Sequence, residues 1–237
     1  MIIVSPLNLM KKCIVLLSGG LDSATILYYA KVKGFTPSCL IFFYGQRHNK
    51  EIKQAVKIAD AAKCEYKVVV MDLPWKGSSL LDKHMKLPLR KVMKKNEIPS
   101  TYVPARNIIF LSYAASYAEA VGAKAIFIGA NAIDYSGYPD CRPEFFKAYE
   151  KVLEKGLKTG VEGKAIQIFV PLLRMTKAEI IELGIKLKVP YQLTWSCYRG
   201  GKVPCGRCES CVLRARGFEA LKVEDPILSF PRKRESK

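Results

Sequence analysis

Residues 14–27 read IVLLSGGLDSATIL. An apolar, β-type run breaks into Ser18-Gly19-Gly20, and a helix-type run resumes near Asp22. Glycine-rich turns between a strand and a helix hold anions, because backbone N–H groups and the positive helix end converge there. This loop lacks the Gly-Lys-Ser/Thr ending of a Walker loop and the G-x-G-x-x-G spacing of a dinucleotide fold. Its glycines let the backbone curl close to a phosphate, and Ser18 and Ser23 offer hydroxyls. Asp22 stands too near that phosphate to be stable without a cation, which suggests Mg²⁺.

Further apolar runs recur at SCLIFFY (38–44), YKVVVM (66–71), AIFIGA (125–130) and AIQIFV (165–170). Helix-type segments lie between them at 22–33, 50–63, 106–121 and 143–156, and another begins near Thr176. Strand alternating with helix implies parallel βαβ units, and continuously apolar strands imply burial on both faces. The expected fold is α/β, an open doubly wound parallel sheet with ligands bound beyond the carboxyl ends of its strands. The polar stretches YGQRHNKE (44–51) and NAIDYSGYPDCRPEF (131–145) follow strands and should edge the same site. Residues 74–103 interrupt the alternation with a basic, proline-punctuated stretch, read either as a lid or as a connection.

The chain has 237 residues, with 39 basic and 21 acidic side chains and a net charge of +18. Such a field attracts polyanions, tRNA among them. No RNA-binding signature concentrates the charge, so it is read as a solvated basic surface, with no nucleic-acid partner expected. No run of eighteen apolar residues occurs, and the charges of MIIVSPLNLMKK follow its apolar stretch instead of preceding it, so neither a membrane span nor a signal peptide is expected. The expected organisation is an N-terminal extension (1–10), a nucleotide-binding domain (11–190), a cysteine-rich subdomain (191–221) and a basic tail (222–237) ending in FPRKRESK.

Of eight cysteines, Cys197, Cys205, Cys208 and Cys211 crowd into a C-x7-C-x2-C-x2-C cluster. Without a signal peptide this reads as a metal site in the reducing cytoplasm, not a disulfide framework. Four thiolates and no open position fit one structural Zn²⁺, with an iron–sulfur cluster as the competing occupant. Elsewhere, Asp134, Asp140 and Glu144 could accept from a guanine-type N–H pair, and Arg142 could grip a carboxylate. Arg106 and Asn107 open a helix, where a ligand role competes with simple capping. His48 could touch nucleotide or substrate or be a surface residue, and Trp195 is expected to pack beside the metal.

The sequence S-G-G-x-D-S between strand and helix resembles the PP-loop of ATP pyrophosphatases. That resemblance implies that Leu17, Ser18, Gly19, Gly20, Leu21, Asp22, Ser23 and Ala24 bind ATP. Ser18, Asp22 and Ser23 would act directly at the phosphates, and ATP would be cut between its α and β phosphates. Across roughly Lys11 to Leu221, the motifs SGGLDSAT, YGQRH, YVPARN, GANAIDYSGYPDCRPEF, PLLRMTKAEII and TWSCYRGGKVPCGRCESC occur in this order in the 7-cyano-7-deazaguanine synthases, which the chain resembles closely. The resemblance implies an ATP-dependent ligase, usually a homodimer, that converts 7-carboxy-7-deazaguanine and ammonia to the nitrile through adenylated intermediates and an amide, in queuosine biosynthesis. It also implies zinc on the four clustered cysteines. The assignment of Arg106, Asp134, Asp140, Arg142 and Glu144 to the deazaguanine is inferred from their chemistry and position. The competing readings are a PP-loop enzyme that adenylates and thiolates tRNA, an amide-forming ligase acting on another acid, and a zinc-stapled nucleic-acid-binding module.

Overall fold

The computed structural model describes residues 11–88, 98–133 and 137–227. Five strands, β1 (Lys11–Leu16), β2 (Phe35–Phe43), β3 (Glu65–Val70), β4 (Ala125–Phe127) and β5 (Gln167–Phe169), form one sheet in the order β3-β2-β1-β4-β5. Every pairing is parallel. Each connection must therefore cross the sheet, and helices make the crossings: α1 (Leu21–Val32), α2 (Lys50–Ala61), α3 (Arg106–Val121), α4 (Pro143–Gly156) and the short α5 (Lys158–Val161). Two further helices, α6 (Lys177–Lys186) and α7 (Glu209–Ala220), follow the sheet.

The alternation of side chains along the strands divides the core in two. Cys13, Val15, Cys39, Ile41 and Phe127 face α1, α2 and α6, while Ile14, Leu16, Leu40, Phe42 and Ile126 face α3 and α4. The inner strands are buried on both sides, as their unbroken apolar runs require. The exception is β3, where Tyr66, Val68 and Val70 are 39%, 43% and 74% exposed. An edge strand has a neighbour on one side only, so an apolar run here does not mark two-sided burial.

Strand order reverses between β1 and β4, leaving a crevice at their carboxyl ends. The runs expected over 125–130 and 165–170 pair only at Ala125–Phe127 and Gln167–Phe169. Ile128, Gly129, Ala130 and Asn131 leave the sheet and line that crevice instead.

The C-terminal region is bolted onto this frame. Helix α6 starts at a capping box in which Thr176 accepts from the Glu179 N–H and Glu179 accepts from the Thr176 N–H. Helix α7 packs on α6, and Phe218 joins the α1-side core. The side chain of Arg214 on α7 is buried, its Nε and Nη2 donating to both carboxylate oxygens of Asp225 at 2.7 and 2.9 Å. It also donates to Thr194 Oγ1 and the Tyr191 carbonyl. Within the stretch expected as a tail from residue 222, a buried guanidinium holds Asp225 to the fold. The N-terminal extension (1–10) and residues 228–237 lie outside the described residues.

Asp225→Ala leaves the Arg214 charge buried and uncompensated, and such losses run to about 3–5 kcal/mol. Denaturant unfolding should show a destabilisation of that size, whereas a change near zero would mean that the pair is solvated.

Candidate active site

The loop after β1 is shaped by what crowds it. Gly19 has φ +84°, and a Cβ there would sit 2.2 Å from the Glu51 carbonyl oxygen and 2.8 Å from the Ala55 nitrogen. Only glycine meets both the dihedral and the space, so α2 can lie directly against the loop. Ser18 and Ser23 tie the loop to itself. The Ser18 N–H and hydroxyl reach Ser23 Oγ at 3.2 and 3.0 Å, and Ser23 Oγ donates to the Gly20 carbonyl at 3.1 Å. Gly20 caps α1, directing the first amides of that helix at the crevice.

Asp22 points at Lys177, whose Nζ donates to both carboxylate oxygens at 2.7 and 2.9 Å. The pair is mostly buried, at 18% and 10% side-chain exposure, so the contact is more than a surface ion pair. The loop aspartate therefore already faces a fixed protein cation. A lysine in the first turn of a helix opposes the macrodipole, and here it is placed where an anion compensates it.

Beyond the loop opens a cavity of about 260 Å³, lined on one side by Ser18, Gly20, Asp22, Ser23 and Lys177. Its opposite wall is aromatic. Phe110 stacks on Phe42 at 4.1 Å between ring centres, Tyr44 meets Phe110 edge-on at 5.3 Å, and Tyr138 stands alongside. Such walls suit a flat heterocycle. Leu80, from the described part of the 74–103 stretch, completes the wall. The Arg47 N–H donates to the Leu80 carbonyl, and its Nη2 donates to the carbonyls of Asp82 and Met85, so this stretch is packed on the site's rim.

Besides Asp22 and Lys177, the charged residues Arg47, Glu51, Arg106 and Arg214 line the cavity. Arg106 follows Ala105, held at φ +55°, a strained conformation that sets the entry into α3. Its Nη1 approaches Tyr44 Oη at 3.4 Å. Asp140 stands behind it and caps α3, its Oδ2 accepting from the Asn107 N–H at 3.0 Å while its carbonyl accepts from Asn107 Nδ2. Burial raises the Asp140 carboxyl above its ordinary value, against the pull of that N–H and of Arg106. Glu51, in the first turn of α2, is pushed up to about 7 by burial, with Arg106 opposing and the nearby Cys197 adding to the rise.

The four clustered cysteines place their sulfurs within 4.8 Å of one another. Backbone N–H groups of Arg199 and Cys205 point at Cys197 Sγ at 3.4 and 3.3 Å, and that of Cys208 points at Cys205 Sγ at 3.4 Å, as donors to thiolates do. Hydrogen bonds from Cys208 and Cys211 hold the Cys197 thiol well down, whereas Cys197 pushes its two partners up. Four thiolates this close cannot all ionise without a cation, so the donor set fits a tetrahedral metal.

This centre is joined to the nucleotide loop. The backbone N–H of Trp195 donates to the Gly19 carbonyl at 2.8 Å, and its indole Nε1–H donates to the Cys197 carbonyl at 2.9 Å. Lys50 Nζ lies 3.6 Å from the Trp195 ring centre and donates to the carbonyls of Gly201 and Lys202. His48 Nε2 lies 3.1 Å from the same Cys197 carbonyl, and Gly200 (φ +64°) packs so closely on its ring that a Cβ would reach 2.3 Å. Burial keeps the His48 imidazole below its ordinary value and hence neutral. Histidine and tryptophan thus both buttress the metal loop.

The structure brings together Leu17–Ser23, Arg106 and the four cysteines. Asp140 sits behind Arg106. Arg142 caps α4, and Glu144 is exposed at the start of that helix; neither lines the cavity. Asp134 lies outside the described residues. Sequence reasoning gave no role to Lys177 or Glu51, although a lysine at a helix start was a readable signal for the first. Glu51 closes the stretch 44–51 expected to edge the site, but its own place there depends on the packing of α2 on Gly19.

A parallel sheet with a Ser-Gly-Gly loop at its switch point, an aromatic cavity beyond it and a cysteine cluster bonded to that loop fit a nucleotide-utilising α/β enzyme. The chain belongs to the family described as Queuosine biosynthesis protein QueC, which matches residues 12–222. It is 53% identical over 218 residues to the 7-cyano-7-deazaguanine synthase of Thermoplasma volcanium, covering 92% of this chain and 90% of that one. It is 50% identical over 221 residues to that of Trichodesmium erythraeum, covering 92% of this chain and all of the other. Among the described residues no helix is long and apolar enough to cross a membrane.

The raised Glu51 carboxyl carries a sign. Unfolded, it ionises near 4.5; folded, near 7, so the native state takes up a proton between these values and is penalised in full above the higher one. Glu51→Gln should therefore raise the melting temperature at pH 8, with the gain shrinking toward zero as the pH falls below 5. An equal change at both ends would show that the carboxylate is not desolvated.

Proposed function

We propose that this chain converts 7-carboxy-7-deazaguanine, ammonia and ATP to 7-cyano-7-deazaguanine, with AMP and pyrophosphate as co-products. The observation that carries the proposal is the junction of a Ser-Gly-Gly loop with an aromatic-walled cavity that Arg106 lines, in a chain of this family. The relatives' names support it over the tRNA-thiolating alternative.

A carboxylate resists attack by ammonia because oxide would have to leave. The loop supplies the remedy. Residues 17–24 would hold the β and γ phosphates on the amides of α1 and the serine hydroxyls, leaving the α-phosphorus facing the cavity. Arg106 would bind the acid's carboxylate and steer one oxygen toward that phosphorus, with Asp140 fixing where α3 and its arginine begin. Asp22 holds Lys177 at the loop, where its ammonium offsets phosphate charge. Mg²⁺ would accompany ATP and supply further charge neutralisation. Displacement of pyrophosphate gives the acyl adenylate, and ammonia displaces AMP to form the amide. Adenylation of the amide oxygen and loss of AMP then leave the nitrile. Positioning and electrostatics can supply most of this rate.

The cysteines would hold one Zn²⁺ as a structural ion that orders residues 197–211 and, through Trp195, the Gly19 carbonyl. The exposed row of Tyr66, Val68 and Val70 on edge strand β3 suits pairing with a second copy, so a homodimer belongs to the proposal.

Asp22→Ala should lower acid-dependent pyrophosphate release by on the order of a hundredfold; unchanged release would remove the loop from the chemistry. Metal analysis should return about one zinc per chain, as a single four-thiolate site requires. Chelation should shift Trp195 fluorescence to the red and weaken ATP binding, both restored by zinc. Stoichiometric iron and sulfide would overturn the zinc assignment.

A further inference from the structure

Ammonia reaches a neutral-pH active site almost entirely as ammonium, which has no lone pair to attack with. The reaction must also shed several protons from that nitrogen on its way to a nitrile. The acceptor for them should be an anion lining the cavity, not held in an ion pair with another cation.

Among the described residues only two carboxylates line the cavity. Asp22 is taken by Lys177. The carboxylate of Glu51 forms no hydrogen bond or ion pair within 4.0 Å with any described residue and is half-buried. Its main chain is in contact with the nucleotide loop, since its carbonyl is what excludes a side chain at Gly19. Arg106 from α3 and Tyr44 from the end of β2 line the same cavity, and Cys197 of the cysteine cluster lies near enough to act on the Glu51 charge. An unpaired carboxylate lining the cavity beside the loop fits a small cation better than it fits either anionic substrate.

We propose that Glu51 binds the ammonium ion and accepts its protons. This rests on the nitrile-forming reading above. One N–H proton passes to the Glu51 carboxylate, and the freed lone pair forms the C–N bond at the adenylate carbonyl. The C–O bond to AMP breaks, its electron pair leaving on the phosphate oxygen, and a second proton lost from nitrogen gives the amide. In the second half the amide loses one N–H proton as its oxygen displaces pyrophosphate from ATP. The last N–H proton leaves as the C–O bond to AMP breaks and the third C–N bond forms. Between steps Glu51 returns each proton to solvent through the cavity mouth.

The test compares wild type and Glu51→Gln with two nucleophiles at pH 7: ammonium, and hydroxylamine, which is largely unprotonated there. Acid-dependent ATP–pyrophosphate exchange, which needs no nitrogen nucleophile, reports folding and adenylation separately. The variant should keep its exchange, and its amide formation from ammonium should fall by on the order of a hundredfold or more, as for loss of a general base. Its hydroxamate formation should stay within a few-fold of wild type. Equal loss with both nucleophiles, an undiminished rate with ammonium, or loss of exchange together with weaker acid binding would overturn the role, the last placing Glu51 on the heterocycle. Absence of exchange in the wild type would fail the underlying reading instead.

Discussion

The close approach at Gly19 is the constraint on which the site depends. One residue with no side chain lets α2 press its Glu51 carbonyl to the loop and lets the Trp195 N–H reach the Gly19 carbonyl from the opposite direction. Nucleotide loop, second helix and metal centre therefore meet at one backbone position. A methyl group there would have to move α2 and enter a disfavoured dihedral together, and both changes would propagate to the cavity.

Charge is distributed around that point with little freedom left in it. Asp22 and Lys177 neutralise each other in a mostly buried pair, and Arg214 and Asp225 do so deeper inside. Arg106 and Glu51 also line the cavity, and the proposed reaction would set the first against the acid's carboxylate and the second against ammonium. An enzyme that joins an anionic acid to ammonia through ATP needs that division, and fixed charges incur no reorganisation cost when the reaction occurs.

Much of this was legible in the sequence. The loop, the parallel sheet and the cysteine cluster rest on local patterns, and α3 and α4 fall at Arg106–Val121 and Pro143–Gly156, where periodicity placed them. What failed to show was long-range. The exposure of β3 depends on which strand ends the sheet, a property no single run encodes. Lys177 lies 155 residues from Asp22, and Asp225 is ordered by an arginine whose burial only the packed structure reveals. The loop 131–145 was expected to edge the site, and its Asn131, Tyr138 and Cys141 line the cavity, while Asp140 turns inward to cap α3 and Arg142 and Glu144 stand at the start of α4.

The central claim is that oxygen atoms of the acid are removed by transfer to the α-phosphorus of ATP. Its most direct test supplies 7-carboxy-7-deazaguanine labelled with heavy oxygen in the carboxylate, with ATP, Mg²⁺ and ammonium, and weighs the nucleotide products. The account predicts one labelled oxygen in each AMP formed, unlabelled pyrophosphate, and a nitrile without oxygen. Label in inorganic phosphate with ADP as the product, or in water with AMP unlabelled, would contradict it.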